Sequence, residues 1–105
     1  MGDLESVRAF ALSLPATTEE PHFDMSSFRV RGKIFATLGY PDRTFAMVAL
    51  SPLRQEDFVR EHPRAFTPVP GAWGEKGATR VKLRYAKAAA VREALMLAWR
   101  TRAAK

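Results

Sequence analysis

The residues best placed to do chemistry are basic ones at strand spacing. Arg80, Lys82 and Arg84 alternate with Val81 and Leu83 in the run from Thr79 to Tyr85. At the two-residue period of a strand, all three project from one face. Arg29 and Arg31 alternate in the same way in Phe28-Arg29-Val30-Arg31, and Lys33 follows at the tip of a turn. Two such stripes, placed side by side, make a cationic surface that displaces counterions from a nucleic acid. The stripes carry no interleaved aromatic residues for base stacking. Contacts would therefore fall on phosphates and give weak sequence specificity. A solvated outer sheet face also carries Lys and Arg, which protect strand edges.

The stretch Gly71-Ala72-Trp73-Gly74-Glu75-Lys76-Gly77-Ala78-Thr79 is the most unusual. Spaced glycines with a lysine among them suit backbone contact with phosphate. The spacing is not that of a Walker loop, and a strand rather than a helix follows, so it is not a dinucleotide-binding turn. It reads as a flexible loop with Trp73 packed on the core. Its functional use would be a phosphate contact through Lys76.

Other chemistry has little to stand on. His22 sits beside Glu20 and Asp24, a weak carboxylate–histidine grouping, and His62 is distant in sequence. There is no Gly-x-Ser-x-Gly elbow. Glu19-Glu20 is an adjacent pair of the kind usually solvated in a loop. The absence of cysteine excludes a disulfide, a thiolate nucleophile and a cysteine-based metal site. No catalytic residue, metal or cofactor is expected.

Charge sharpens the basic lead. The chain of 105 residues has a net charge of +6. Residues 76–105 hold nine of the 17 Lys and Arg but only one of the 11 acids, Glu93. Such asymmetry favours an anionic partner or serves solubility. Met1-Gly2-Asp3-Leu4-Glu5 lacks the basic start and apolar run of a signal peptide. No apolar stretch approaches the roughly 18 residues of a membrane span. The expected setting is cytoplasmic, without a membrane partner.

The elements that must position these residues follow from periodicity. Leu4, Val7, Phe10, Ala11 and Leu14 make a helical stripe over 3–14, capped by Asp3 and stopped by Pro15. Residues 16–22 read as a polar loop. Phe28–Arg31 and Ile34–Leu38 read as a hairpin turning at Gly32-Lys33. Tyr40–Arg43 is a second turn and Phe45–Leu50 a central strand. Ser51-Pro52 starts a helix ending near His62, with Leu53, Phe58 and Val59 inward. Residues 63–77 form a long loop with room for one short strand. Thr79–Tyr85 is a strand and 87–102 a helix, its inner face formed by Val91, Leu95, Ala98 and Trp99. The expected fold is one α+β domain of order α-β-β-β-α-β-α, with helices on one face of an antiparallel sheet.

Several segments resemble one known family. They are Leu12-Ser13-Leu14-Pro15, Glu19-Glu20-Pro21-His22-Phe23, Phe28 through Ala36, Leu50-Ser51-Pro52, Pro68 through Gly74, Thr79 through Leu83, and Trp99. In that order they resemble MmcQ/YjbR-like proteins over nearly the whole chain. The resemblance implies an α+β fold of the sort compared with secretion chaperones and frataxin-like proteins. It also implies DNA binding through a double-wing arrangement, the role commonly proposed for the family, and it transfers no catalytic set. Many relatives carry an Asn-Lys-Lys-His-Trp-like segment before the last strand. Here Gly74-Glu75-Lys76-Gly77-Ala78 stands instead, with Lys76 retained. The leading expectation is a DNA-binding module without catalysis, using Arg29, Arg31, Lys33, Lys76, Arg80, Lys82 and Arg84. The alternatives are a protein- or peptide-binding adaptor and a small-ligand domain using the loop around Trp73 and His22.

Overall fold

The computed structural model describes residues 3–22, 25–39 and 41–104, apart from the side chain of His22. The expected Tyr40–Arg43 turn therefore falls partly outside the described residues. Helix α1 (Leu4–Ser13) is capped by Asp3, whose carboxylate accepts the Ser6 backbone N–H at 2.7 Å. It buries Val7 and Ala11 and ends where Leu14 turns extended ahead of Pro15. Trp99 pins the exit, its indole N–H donating to the Pro15 carbonyl at 2.9 Å.

Six antiparallel strands form one sheet of order β1-β2-β3-β4-β6-β5. Strand β1 (Thr18–His22) occupies the segment expected to be a polar loop. Its proline is tolerable because β1 is an edge strand, with one side free of ladder bonds. Strands β2 (Met25–Val30) and β3 (Lys33–Leu38) form the expected hairpin. Its tip is Arg31-Gly32, both at positive φ (55° and 76°), one residue earlier than expected. Two successive positive φ values match the twist of a two-residue hairpin, and glycine meets one of them without strain.

Phe28 pairs with Ala36 and Arg29 with Ile34, so Phe35 is an extra residue on β3. This bulge puts Phe35 beside Ala36 in the core and leaves Ile34 to line the opposite face. Strand β4 (Phe45–Ala49) leads into Ser51, which caps helix α2 (Pro52–Glu61) by accepting the Arg54 N–H. Phe58 packs on Phe66 of β5 (Phe66–Pro68), with ring centroids 4.9 Å apart. His62 joins the same ring cluster, 5.7 Å from Phe66. Leu53, expected inside, is 75% exposed, and Gln55 takes the buried place.

The expected long loop thus holds β5 and a short helix, α3 (Ala72–Glu75). Strand β6 (Ala78–Lys82) is shorter than expected, because Leu83–Tyr85 close into a 3₁₀ turn. Gly77, at φ +111°, passes so near the Leu50 carbonyl that a Cβ would lie 1.8 Å from it. Helix α4 (Ala88–Ala103) closes the fold, and its buried alanines let it lie close on the middle strands.

The sheet has two unlike faces. Phe28, Ala36, Val48 and Val81 face α1 and α4, where the core cluster lies. The α+β architecture and the helices packed on this sheet face agree with expectation, and β1, β5 and α3 add to the expected order. The other face, here termed the open face, carries Ile34, Thr37, Met47, Arg80 and Lys82.

Candidate nucleic-acid interface

Strand alternation sets Arg80 and Lys82 side by side on the open face, as expected for β6. Each lies beside an aromatic ring. The Arg80 guanidinium carbon is 5.6 Å from the Phe45 ring centre, and Lys82 Nζ is 5.8 Å from it. Lys82 Nζ also lies 5.2 Å from the Tyr85 ring centre. Tyr85 is further flanked by Arg64 at 4.4 Å and Arg84 at 5.7 Å. All are within reach of a cation–π attraction, worth about 0.5–1 kcal/mol at an exposed site.

The result is a ladder in which cations alternate with aromatic rings: Arg80, Phe45, Lys82, Tyr85, and then Arg64 with Arg84. The aromatics missing from the basic stripe come from β4 and from the 3₁₀ turn. Arg84 lies on that turn, so it reaches the cluster by a route other than strand alternation. Arg64 was not anticipated. It arrives because β5 pairs with β6, Phe66 opposite Val81, which carries the preceding residues to the end of β6. Nothing in the local sequence announces that pairing.

No carboxylate pairs with the ladder cations among the described residues. The ion pairs among the described residues are Arg8–Glu19 at 2.8 Å, Arg29–Glu20 at 4.0 Å and Arg60–Asp57 at 2.7 Å. None involves a ladder cation. Asp42 stands within the field of Lys82. Its carboxyl is held below the usual range chiefly by the hydrogen bond from the Thr44 hydroxyl, then by the Thr44 N–H, with a smaller pull from Lys82.

The remaining expected residues disperse. Arg29 lies on the open face, but β3 and β4 separate it from β6, and it bonds to Ser27 and approaches Glu20. Arg31 sits in the hairpin turn rather than on a strand. The register places that turn at the Ala49–Ala78 end of the sheet, opposite the Phe45–Lys82 end. Arg31 and Lys33 therefore do not extend the β6 stripe, contrary to the two-stripe surface expected.

Lys76 is exposed beside α3, away from the Tyr85 end. The backbone N–H groups next to Lys76 are already engaged. The N–H groups of Glu75, Lys76 and Gly77 are consumed by carbonyls of Gly71, Ala72, Trp73 and Gly74. Trp73 is 75% exposed, not packed on the core. Among the described residues no cluster of three metal-ligating side chains occurs. Asp24 and the side chain of His22 lie outside those residues.

A family model described as YjbR matches residues 12–101, which is most of the chain. The chain belongs to the YjbR family. The YjbR fold of this chain is also similar to the crystal structure of Deinococcus radiodurans protein DR2400, which carries a domain described as DUF419. That likeness has a TM-score of 0.77 at 22% identity and covers 94% of this chain and 77% of that one. At this identity the likeness establishes the YjbR fold alone. No curated protein matches the chain. Among the described residues, no helix is long and apolar enough to cross a membrane.

Proposed function

We propose that this YjbR-family protein is a cytoplasmic module that binds DNA without catalysing a reaction. The carrying observation is the ladder of Arg64, Arg80, Lys82 and Arg84 around Phe45 and Tyr85. Among the described residues, no carboxylate forms an ion pair with any of the four cations. Guanidinium and ammonium groups held in a row suit a row of phosphates. Tyr85 is 43% exposed and offers a ring face or edge to a sugar or an unpaired base. These contacts position a nucleic acid and read little of its sequence.

Strand addition, the usual route to an extended peptide, is disfavoured at both sheet edges. β1 carries Pro21, and β5 is three residues long and ends in Pro68.

The test is a titration with duplex and single-stranded DNA at several salt concentrations. Four phosphate contacts predict a slope of about −3.6 in log K against log salt on a duplex, and about −2.8 on a single strand. Reversing charge with Lys82→Glu and Arg84→Glu should weaken binding to all sequences alike. It should also flatten the slope by about 0.7–0.9 for each phosphate no longer neutralised. Absence of binding at low salt, or a slope near zero, overturns the reading.

A further inference from the structure

The open face also holds a groove that most of the cationic ladder leaves untouched. It encloses about 550 Å³, within the range of small-molecule sites. Its floor includes Ile34, Met47 and Ala49, and Val69 and Trp73 wall it from the β5–α3 side. The Phe35 bulge helps make this floor, because it turns Ile34 out of the core and into the groove. An indole with three-quarters of its surface in water, standing at the lip of an apolar trough, is an unusual arrangement for a residue that normally hides its ring.

Among the described residues, the charged side chains lining the groove are all of one sign: Lys76, Arg80 and Arg102, with no Asp or Glu. Arg102 is held in place from the end of α4. Its Nε–H donates to the Ile34 carbonyl at 3.2 Å, and its two terminal amino groups make no hydrogen bond among the described residues. A guanidinium fixed by one nitrogen, with its outer nitrogens unengaged, suits a carboxylate. The groove is thus apolar in its body and cationic at its margin. Its complement is a molecule that is apolar in its body and anionic at one end.

We propose that the groove is a binding site for a small amphipathic carboxylate, an aliphatic or aromatic body with one carboxylate head. The apolar body lies along Ile34, Met47 and Trp73. The head meets Arg102 and Lys76, with Arg80 at the side shared with the ladder. The proposal does not rest on nucleic-acid binding, since Trp73, Lys76 and Arg102 make no part of the ladder and Arg80 alone is common to both.

The test titrates the full chain with dodecanoate, below its micelle concentration, and follows the indole N–H signals of Trp73 and Trp99 by NMR. The expected result is a saturable shift at Trp73 with little change at Trp99, whose N–H is bonded to Pro15. Dodecyltrimethylammonium, with the same chain and the opposite charge, should bind at least about tenfold more weakly, a difference of about 1.4 kcal/mol. The double variant Lys76→Glu, Arg102→Gln should lose about tenfold in dodecanoate affinity with its circular dichroism unchanged. Trp73→Ala, at an exposed position, supplies a second folded variant that should also weaken binding, read there by isothermal calorimetry. Equal binding of the two amphiphiles overturns the proposal, as does the lack of a saturable shift. A Trp73 signal that moves with protein concentration alone also overturns it, because a second copy of the chain then occupies the groove.

Discussion

Gln55 and Leu53 exchange the roles that their chemistry suggests. On α2, leucine points to water, while the glutamine amide donates to the Gly74 and Ala78 carbonyls at 2.9 and 3.0 Å. One side chain thereby adds a second donor to two carbonyls that also accept the Gly77 and Val69 backbone N–H groups, and ties α2 to α3 and β6. Hydrophobicity alone points to Leu53, and the tertiary position of two carbonyls is what puts Gln55 inside. Gln55→Leu should cost about 1–3 kcal/mol, since it removes two hydrogen bonds worth about 0.5–1.5 kcal/mol each, while the Gly77 and Val69 backbone N–H groups still serve the two carbonyls. Leu53→Gln should stay within about 0.5 kcal/mol. Urea melts of the two variants check the contrast, and equal losses would contradict it. Trp73 teaches the same lesson: a tryptophan between glycines gives no sign of which way it faces.

Two carboxylates give the acid limb of stability a definite sign. Asp3 is held below its ordinary pKa chiefly by the Ser6 backbone N–H, and Asp42 chiefly by the Thr44 hydroxyl. A depressed folded-state pKa means that the unfolded chain binds protons first. The stabilisation is then present above the unfolded value, about 3.9, and is lost as pH falls through the folded value. Asp42→Asn should therefore lower the urea midpoint at pH 7, and the gap from the parent should close as pH falls below about 4. A gap of constant size down to pH 2 would show that Asp42 acts through something other than its charge.

At the scale of elements, the readable parts were those with clean periodicity and caps. The stripe of α1, the Ser51-Pro52 start of α2 and the alternation of β6 all lie where local pattern and tertiary role agree. β1 and β5 were hard to read because each contains proline and is short, and both owe their strand state to one paired neighbour. The β2–β3 turn moved by one residue because Arg31, not only Gly32, adopts a positive φ. That shift carries a functional consequence: it takes Arg31 off the strand. Arg29 is compromised differently, by Glu20 and Ser27 on the edge side of the sheet. Charge reversal at Arg29 should therefore change DNA affinity far less than reversal at Lys82. A parallel titration of Arg29→Glu and Lys82→Glu at fixed salt measures this. Similar losses would place the interface across the whole sheet rather than on the β6 side.

At the scale of the molecule, the α+β architecture and the basic character of β6 were legible, because both follow from patterns within single segments. The ladder and the groove were not, because each is assembled across strands far apart in sequence. Phe45, Arg64 and Tyr85 meet through the β4–β6 and β5–β6 pairings, and Ile34 meets Arg102 through the docking of α4. Arg80 borders both features, one end of the ladder and one side of the groove. A carboxylate that draws Arg80 toward the groove removes one of four cations from the ladder. Saturating dodecanoate should then weaken DNA binding by less than about tenfold and reduce the duplex salt slope by about 0.9. Linkage requires DNA to weaken dodecanoate by the same factor. Arg80→Ala should abolish the coupling in both directions while leaving each ligand a residual affinity through its other partners. Measuring each affinity with and without the other ligand, in parent and variant, closes the cycle. Mutual indifference in the parent protein would mean that Arg80 serves at most one of the two sites.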